Sequence, residues 1–340
     1  MSLYGVSVSF CTWLSSYLSQ RTNAVRMCGF LSNPYLMPSG VPQGSTLGPL
    51  LFNIFVNDLP SCIKGSLVLQ YADDLKLYRE VACQADCCIL QDDIDSVIKW
   101  CSDNFFSLNT SKTLVISFTK RVTKNNFEYK LNHLCIRRET VVRDLGVLLD
   151  TSLTFSQHVD HITYNSFRKH GLITRITKGI CSSACFVRLY FSLVVPLLEF
   201  ASIAWNSIGL TRQQSIERVQ QRFIRIPYDR YIGTSTYYQY DHLLEKYGFH
   251  TLSSRRKLRD FVFLYKVIHS SIDCPDLLSC VTFNVPCKSI RHTPIFYPKT
   301  LSNILPLVRV QYNFNAFHLV NHPDIFGDYV SFISCLKTCV

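Results

Sequence analysis

The chain has 340 residues and a formal net charge of +11, with 47% hydrophobic and 17% charged residues. That balance excludes a disordered chain and leaves room for two or three domains around a sizeable core. The positive charge points to a polyanionic partner, nucleic acid before an anionic membrane surface, with a merely basic protein as the plain alternative.

Fifteen cysteines occur with no C-x-x-C pair and no Cys/His zinc spacing. No zinc site is expected, and buried, reduced thiols of an intracellular protein are. Residues 1–20 carry no basic region ahead of their apolar residues, against a signal peptide. The longest apolar run, 191–205, is broken by Pro196 and Glu199 and is too short to span a membrane. The expected location is the nucleus or cytoplasm.

In chain order, residues 11–27 read as the end of a helix and then a strand, with Trp13, Leu14, Tyr17 and Leu18 at helical spacing as core residues. Residues 38–44 form a Gly/Pro loop, where glycine lets a ligand approach the backbone. A helix from Thr46 to Asp58 follows, with Leu47, Leu50, Leu51, Ile54 and Phe55 as its apolar stripe. Ser45 can cap it and Pro49 is tolerated in its first turn. A glycine-rich loop feeding a helix N-terminus suits a phosphate or a nucleotide.

Leu67-Val68-Leu69 and Lys76-Leu77-Tyr78 read as short strands, which puts Asp73 and Asp74 at or beside a hairpin turn. Adjacent carboxylates repel unless a cation offsets them, and Mg²⁺ takes one or two protein carboxylates together with substrate phosphates. The chemistry suggested is metal-assisted phosphoryl or nucleotidyl transfer. The plain alternative is a solvated Asp-Asp turn. The Gly-Val-Pro-Gln-Gly loop a short distance upstream favours the first reading.

Further on, Asp92 to Asn104 reads as a helix and Leu114 to Thr119 as a β-rich run. Helices are expected from Ser156 onward, over Ser183–Val195, over Arg212–Arg225, and from Ser253 through Val267. Arg168, Lys169, Arg175 and Lys178 fall off the apolar face of the first of these, and Arg218 and Arg222 off that of the third. Exposed basic helices suit phosphate contacts along a duplex, with solvated helix faces as the alternative.

Ser39 to Asp58 together with Tyr71-Ala72-Asp73-Asp74 resembles the reverse transcriptases of non-LTR, Jockey/CR1-like retrotransposons, and weaker similarity extends over nearly the whole chain. The resemblance implies an α+β fold: a palm of small antiparallel sheet with packed helices over 1–152, a helical thumb over 153–229, and a helical and loop tail of unknown role over 230–340. It implies RNA-directed DNA polymerisation with Mg²⁺, or Mn²⁺ in its place. Asp73 and Asp74 would be catalytic metal ligands, and Lys112 would protonate or hold the leaving pyrophosphate. Gly40, Pro42, Gln43, Gly44, Tyr71 and Ala72 would contact nucleotide and template. Leu145, Gly146 and Val147 would grip the primer, and Arg168, Lys169, Arg175, Arg218 and Arg222 would follow the nucleic-acid backbone. The implied partners are an RNA template, an RNA–DNA duplex and dNTP.

One departure stands out. No Asp or Glu occurs before Asp58, whereas family polymerases carry a further catalytic aspartate upstream of the Pro-Gln-Gly loop. The fingers and the first palm motif are likewise expected to be missing. The sequence therefore leaves two readings: a polymerase represented in part and inactive as this chain, or a non-enzymatic retroelement remnant that binds nucleic acid or is only a stable fold.

Overall fold

The computed structural model describes residues 5–119, 126–179, 182–231, 239–285, 293–298 and 305–339. Contacts divide the chain into two units, residues 1–115 with 122–138, and residues 116–121 with 139–340.

The first unit opens with α1 (Val8–Leu18), capped by the Ser7 hydroxyl, which accepts from the Phe10 N–H. Of the expected core residues on this helix only Leu14 is buried; Trp13 is 49% exposed and stacks on Tyr17. Next come β1 (Thr22–Asn23), β2 (Arg26–Met27), β3 (Phe30–Leu31) and β4 (Tyr35–Leu36). β1 pairs with β4 and β2 with β3, which makes a ribbon exposed along all four strands. α2 (Leu47–Phe55) holds the whole apolar stripe but stops three residues before the expected end at Asp58. A separate 3₁₀ turn follows over Leu59–Cys62, and Asp58 caps that turn rather than ending the helix.

β5 (Leu67–Tyr71) and β6 (Asp74–Tyr78) form an antiparallel hairpin. α3 (Gln84–Asp103) begins eight residues before the expected Asp92. Cys83 and Asp86 form a capping box there, a start signal hidden by cysteine in place of serine. α3 organises this unit. Its Asp93 carboxylate accepts the backbone N–H groups of Lys64 (2.9 Å) and Gly65 (3.1 Å), and its Asp86 pairs with Arg79 (2.8 Å). Phe55 from α2 packs on Trp100 and Phe106 at the far end, with ring centroids 6.1 and 5.4 Å apart. β7 (Leu114–Ile116), β8 (Lys130–Leu131), β9 (Leu134–Cys135) and β10 (Arg137–Glu139) follow. Gln91 of α3 brackets the Lys130 backbone, accepting its N–H at 2.8 Å and donating to its carbonyl at 3.0 Å.

The second unit starts with the hairpin β11 (Val141–Asp144) and β12 (Val147–Asp150). Asp150 then accepts from the N–H groups of Ser152, Thr154 and Phe155, which fixes the turn into α4 (Ser156–Ile176). α5 (Ser183–Leu193), α6 (Val195–Glu199), α7 (Ser202–Trp205) and α8 (Leu210–Tyr231) complete the first helical layer. Their core is Val159, Ile173, Phe186, Tyr190, Leu198, Trp205, Ile216 and Phe223. α9 (Tyr240–Tyr247), α10 (Leu252–Ile268), α11 (Pro275–Ser279), α12 (Pro306–Asn321) and α13 (Tyr329–Cys339) follow. A second core gathers Phe261, Leu264, Val310, Phe314, Phe332 and Leu336 from these later helices, with Phe296 from the segment between α11 and α12.

Glu199, almost fully buried, receives Arg255 and Arg259, while Arg309 of α12 reaches Asp260 and the Ile203 carbonyl. The cysteines correct one expectation: Cys87 and Cys101 are buried, but Cys28, Cys83, Cys88, Cys135 and Cys280 are exposed thiols. Among the described residues no helix is long and apolar enough to cross a membrane.

Candidate active site

The β5–β6 register pairs Leu67 with Tyr78, Leu69 with Lys76 and Tyr71 with Asp74, which leaves Ala72 and Asp73 as a two-residue turn. Ala72 takes a left-handed φ of 52°, a conformation that costs a non-glycine residue about 1 kcal/mol. Cross-strand partners share a face. Asp74 therefore lies with Tyr71, Leu69, Lys76, Leu67 and Tyr78, whose apolar members are exposed, while Val68, Gln70, Leu75 and Leu77 on the other face are half-buried. Asp73 and Asp74 are both exposed at the tip. The adjacent acids and the alternation around them place the carboxylates where the sequence predicts a turn.

The loop before α2 is anchored at both ends. Gly40 and Gly44 have φ near 81° and 80°, conformations that L side chains rarely adopt. On the α2 side the Ser45 hydroxyl accepts from the Gly48 N–H at 2.9 Å, and the Ser45 N–H donates to the Pro42 carbonyl at 3.3 Å. A Cβ on Gly48 would lie 2.9 Å from that carbonyl, so a side chain there would push the loop off the helix. On the other side the Arg21 guanidinium donates through Nε to the Leu18 carbonyl and through one terminal nitrogen to the carbonyls of Ser39 (3.0 Å) and Gly40. Gln43 and Gly44 are exposed between the two anchors, and Pro42 is half-buried.

Lys112 sits on an Asx turn: the Asn109 side-chain oxygen accepts from the Lys112 N–H at 3.1 Å and from the Ser111 hydroxyl at 2.7 Å. The Lys112 side chain is exposed. Leu145 and Gly146 form the turn of the β11–β12 hairpin, both at positive φ, and Val147 is buried. A Cβ on Gly146 would meet the Phe200 ring at 3.1 Å. These three residues belong to the second unit and Asp73, Asp74 and Lys112 to the first. In the second unit Arg168, Lys169, Arg175, Arg218 and Arg222 are all exposed on α4 and α8. Arg222 lies over the Phe167 ring at 5.7 Å and Arg168 over Tyr164 at 5.9 Å.

Residues 5–149 match the family model described as reverse transcriptase (RNA-dependent DNA polymerase). A probable RNA-directed DNA polymerase from transposon BS of Drosophila melanogaster is 28% identical over 225 residues, covering 62% of this chain and 25% of that protein. The RNA-directed DNA polymerase from mobile element jockey of the same species is 28% identical over 225 residues, covering 62% and 24%. A probable RNA-directed DNA polymerase from transposon X-element, again of that species, is 29% identical over 216 residues, covering 61% and 23%. Residues 5–149 are thus similar to a reverse transcriptase domain, and the relatives matched are polymerases of non-LTR, Jockey-like elements. The chain spans about a quarter of the length of the curated relatives it matches. No solved structure matches it.

The reverse transcriptase match takes in the loop, the YADD hairpin, Lys112 and the β11–β12 turn, and stops before α4. Two adjacent exposed carboxylates offer the hard oxygen donors that Mg²⁺ takes together with phosphates. Among the described residues no third acidic, His or Cys side chain joins them as a metal-binding cluster. Sequence reasoning missed Arg21. Its signal lies in carbonyls 18 and 19 residues downstream, and no local spacing announces a backbone partner at that distance.

Proposed function

We propose that this chain carries the catalytic hairpin, substrate loop and duplex-binding helices of an RNA-directed DNA polymerase. The observation that carries this reading is the tip of the β5–β6 hairpin, where Asp73 and Asp74 stand exposed and adjacent inside the region similar to reverse transcriptases. Asp73 and Asp74 would hold Mg²⁺, or Mn²⁺, by their carboxylate oxygens. The metal supplies charge neutralisation on the phosphates and lowers the pKa of an attacking hydroxyl. Tyr71 and Ala72, which bring the strand into the turn, lie beside the primer end. Gly40, Pro42, Gln43 and Gly44 offer backbone and one amide side chain to template and nucleotide. Lys112, presented on its Asx turn, holds or protonates the leaving pyrophosphate. Leu145, Gly146 and Val147 form a backbone turn against the primer. Arg168, Lys169, Arg175, Arg218 and Arg222 contact duplex phosphates. Palm, thumb and tail, in that order along the chain, remain the arrangement this reading assigns.

The 340-residue polypeptide by itself is expected not to polymerise. Asp73 and Asp74 approach a metal from one turn, and residues 1–57 contain no carboxylate side chain to face them. Primer extension on poly(rA)–oligo(dT) with Mg²⁺ or Mn²⁺ tests this. The polypeptide alone should give no product. Fusion to the segment that precedes the matched region in the jockey polymerase should give product, and Asp73→Ala in the fusion should remove it. Extension by the polypeptide alone that is lost on Asp73→Ala would show the ligand assignment to be wrong. A folded fusion that binds hybrid but never extends would favour the non-enzymatic reading.

A further inference from the structure

We infer that Arg21 is a positioning residue that sets the shape of the substrate loop. The inference rests on the reading of residues 40–44 as facing template and nucleotide. One guanidinium joins three carbonyls from two places in the chain: Leu18 in the last turn of α1, and Ser39 and Gly40 where the loop begins. The Arg21 backbone adds a fourth tie, because its carbonyl accepts the Met37 N–H at 2.8 Å. The β1–β4 pairing, Thr22 with Leu36 and Asn23 with Tyr35, continues this seam away from the loop.

The chemistry explains why arginine stands here. Carbonyls of a helix C-terminal turn lack partners within the helix and carry the negative end of its dipole. A cation placed against Leu18 is favoured for that reason. The two loop carbonyls flank a residue at positive φ, and such a segment has no ladder to hold it. A planar fork with several fixed donors can hold the helix end and the loop at once, whereas the point charge of lysine cannot hold three carbonyls in the same geometry. At the far end of the loop, Ser45 and Gly48 seal the Pro42–Ser45 turn onto α2. Arg21 fixes one end, that seal fixes the other, and Val41 to Gly44 are held between them.

The test has two arms, both on the 340-residue chain. In the first, amide hydrogen exchange is followed in Arg21→Lys and Arg21→Ala. Arg26→Lys on the exposed β2–β3 ribbon serves as a control for the same change of side chain. Exchange of the amides in 39–46 should rise roughly tenfold or more in both Arg21 variants, the cost of losing charge-assisted hydrogen bonds. Exchange in the β5–β6 hairpin should stay within about twofold of the parent, and Arg26→Lys should change neither segment.

In the second arm, fluorescence anisotropy compares a blunt rA–dT hybrid with one that carries a single-stranded rA template overhang. The parent should prefer the overhang. Arg21→Lys should lose that preference while keeping its affinity for the blunt hybrid. Unchanged exchange in 39–46 would overturn the clamp. Raised exchange with an intact overhang preference would overturn its role in substrate positioning. A parallel loss of both affinities together with a fall in Tm would show a structural role only, and would also overturn the proposal. A parent chain that binds neither hybrid would sink the polymerase reading itself, and the exchange arm would then decide the clamp alone.

Discussion

Asp93 shows how far a single acid can stand from what its letter suggests. It lies in a helix rich in acids, beside Asp92 and two residues before Asp95, and by pattern it reads as solvated surface. In the structure it is 4% exposed, and its carboxylate takes the N–H groups of Lys64 and Gly65 ahead of β5. Burial opposes its ionisation, but those backbone donors together with Ser66 outweigh burial and hold its pKa below the usual value. Gly65 is glycine for the same reason, since a Cβ there would strike Ile89 of α3 at 2.1 Å. Asp93→Ala should cost about 2–4 kcal/mol, because it strands two donors near a carboxylate-sized hole. The urea midpoint measures it, and a loss under about 0.5 kcal/mol would contradict the role given to Asp93. Asp73 and Asp74 were legible where Asp93 was not. A carboxylate pair at a turn is a local pattern, whereas an acid that binds backbone 28 and 29 residues away is a tertiary one. Arg21 was hidden in the same manner.

Among the elements, the helices were the most legible, because burying one face imposes a period that shows in sequence. α4 and α10 start within one residue of their expected positions, and α8 extends past Arg225 through Pro227 to Tyr231. Of the ribbon from β1 to β4 only a strand up to residue 27 was legible, and β3 and β4 were not. The ribbon buries none of its strand residues, so no alternation distinguishes it. α4 also carries two histidines whose state follows from packing. His158 accepts the Leu148 N–H through Nδ1 at 3.3 Å and packs on Trp205; His170 packs on Phe223. Burial pushes the pKa of each down to about 4, with His161 and Arg143 adding repulsion at the first and Arg222 at the second. A histidine whose folded pKa is depressed below an unfolded value of about 6.5 contributes its full stability above that value. The contribution is lost as pH falls from about 6.5 toward the folded pKa, by at most roughly 3 kcal/mol per ring. Tm should therefore fall between pH 7 and pH 4.5, ahead of the loss from stabilised carboxylates such as Asp150. His170→Leu should flatten that fall; a curve of unchanged slope would show that His170 does not contribute to it.

At the scale of the whole molecule the charge of +11 was legible, but which cations are available to a partner was not. Arg212 pairs with Asp160, Arg255 and Arg259 with Glu199, and Arg309 with Asp260. These neutralise acids of their own unit; the first joins α8 to α4 and the others hold α6, α7, α10 and α12 together, so little of their charge is left for a polyanion. Arg168, Lys169 and Arg175 differ. They are exposed on one helix, and beside them Arg222 of α8 crosses to Phe167 of α4. Each phosphate that such a side chain neutralises releases condensed counterions, which makes affinity fall with salt in proportion to the number of phosphates neutralised. The triple variant Arg168→Gln, Lys169→Gln, Arg175→Gln should weaken binding to an RNA–DNA hybrid. It should also flatten the slope of log K against log salt by up to ~0.9 for each phosphate left without its cation, a value taken from B-form DNA. Both readouts are needed, because misfolding lowers affinity without reducing the slope in steps, and Tm of the variant should stay close to that of the parent, since none of the three side chains is buried. Binding with the parent's affinity and the parent's slope would remove the α4 surface from the nucleic-acid path and leave the net charge to act through another face.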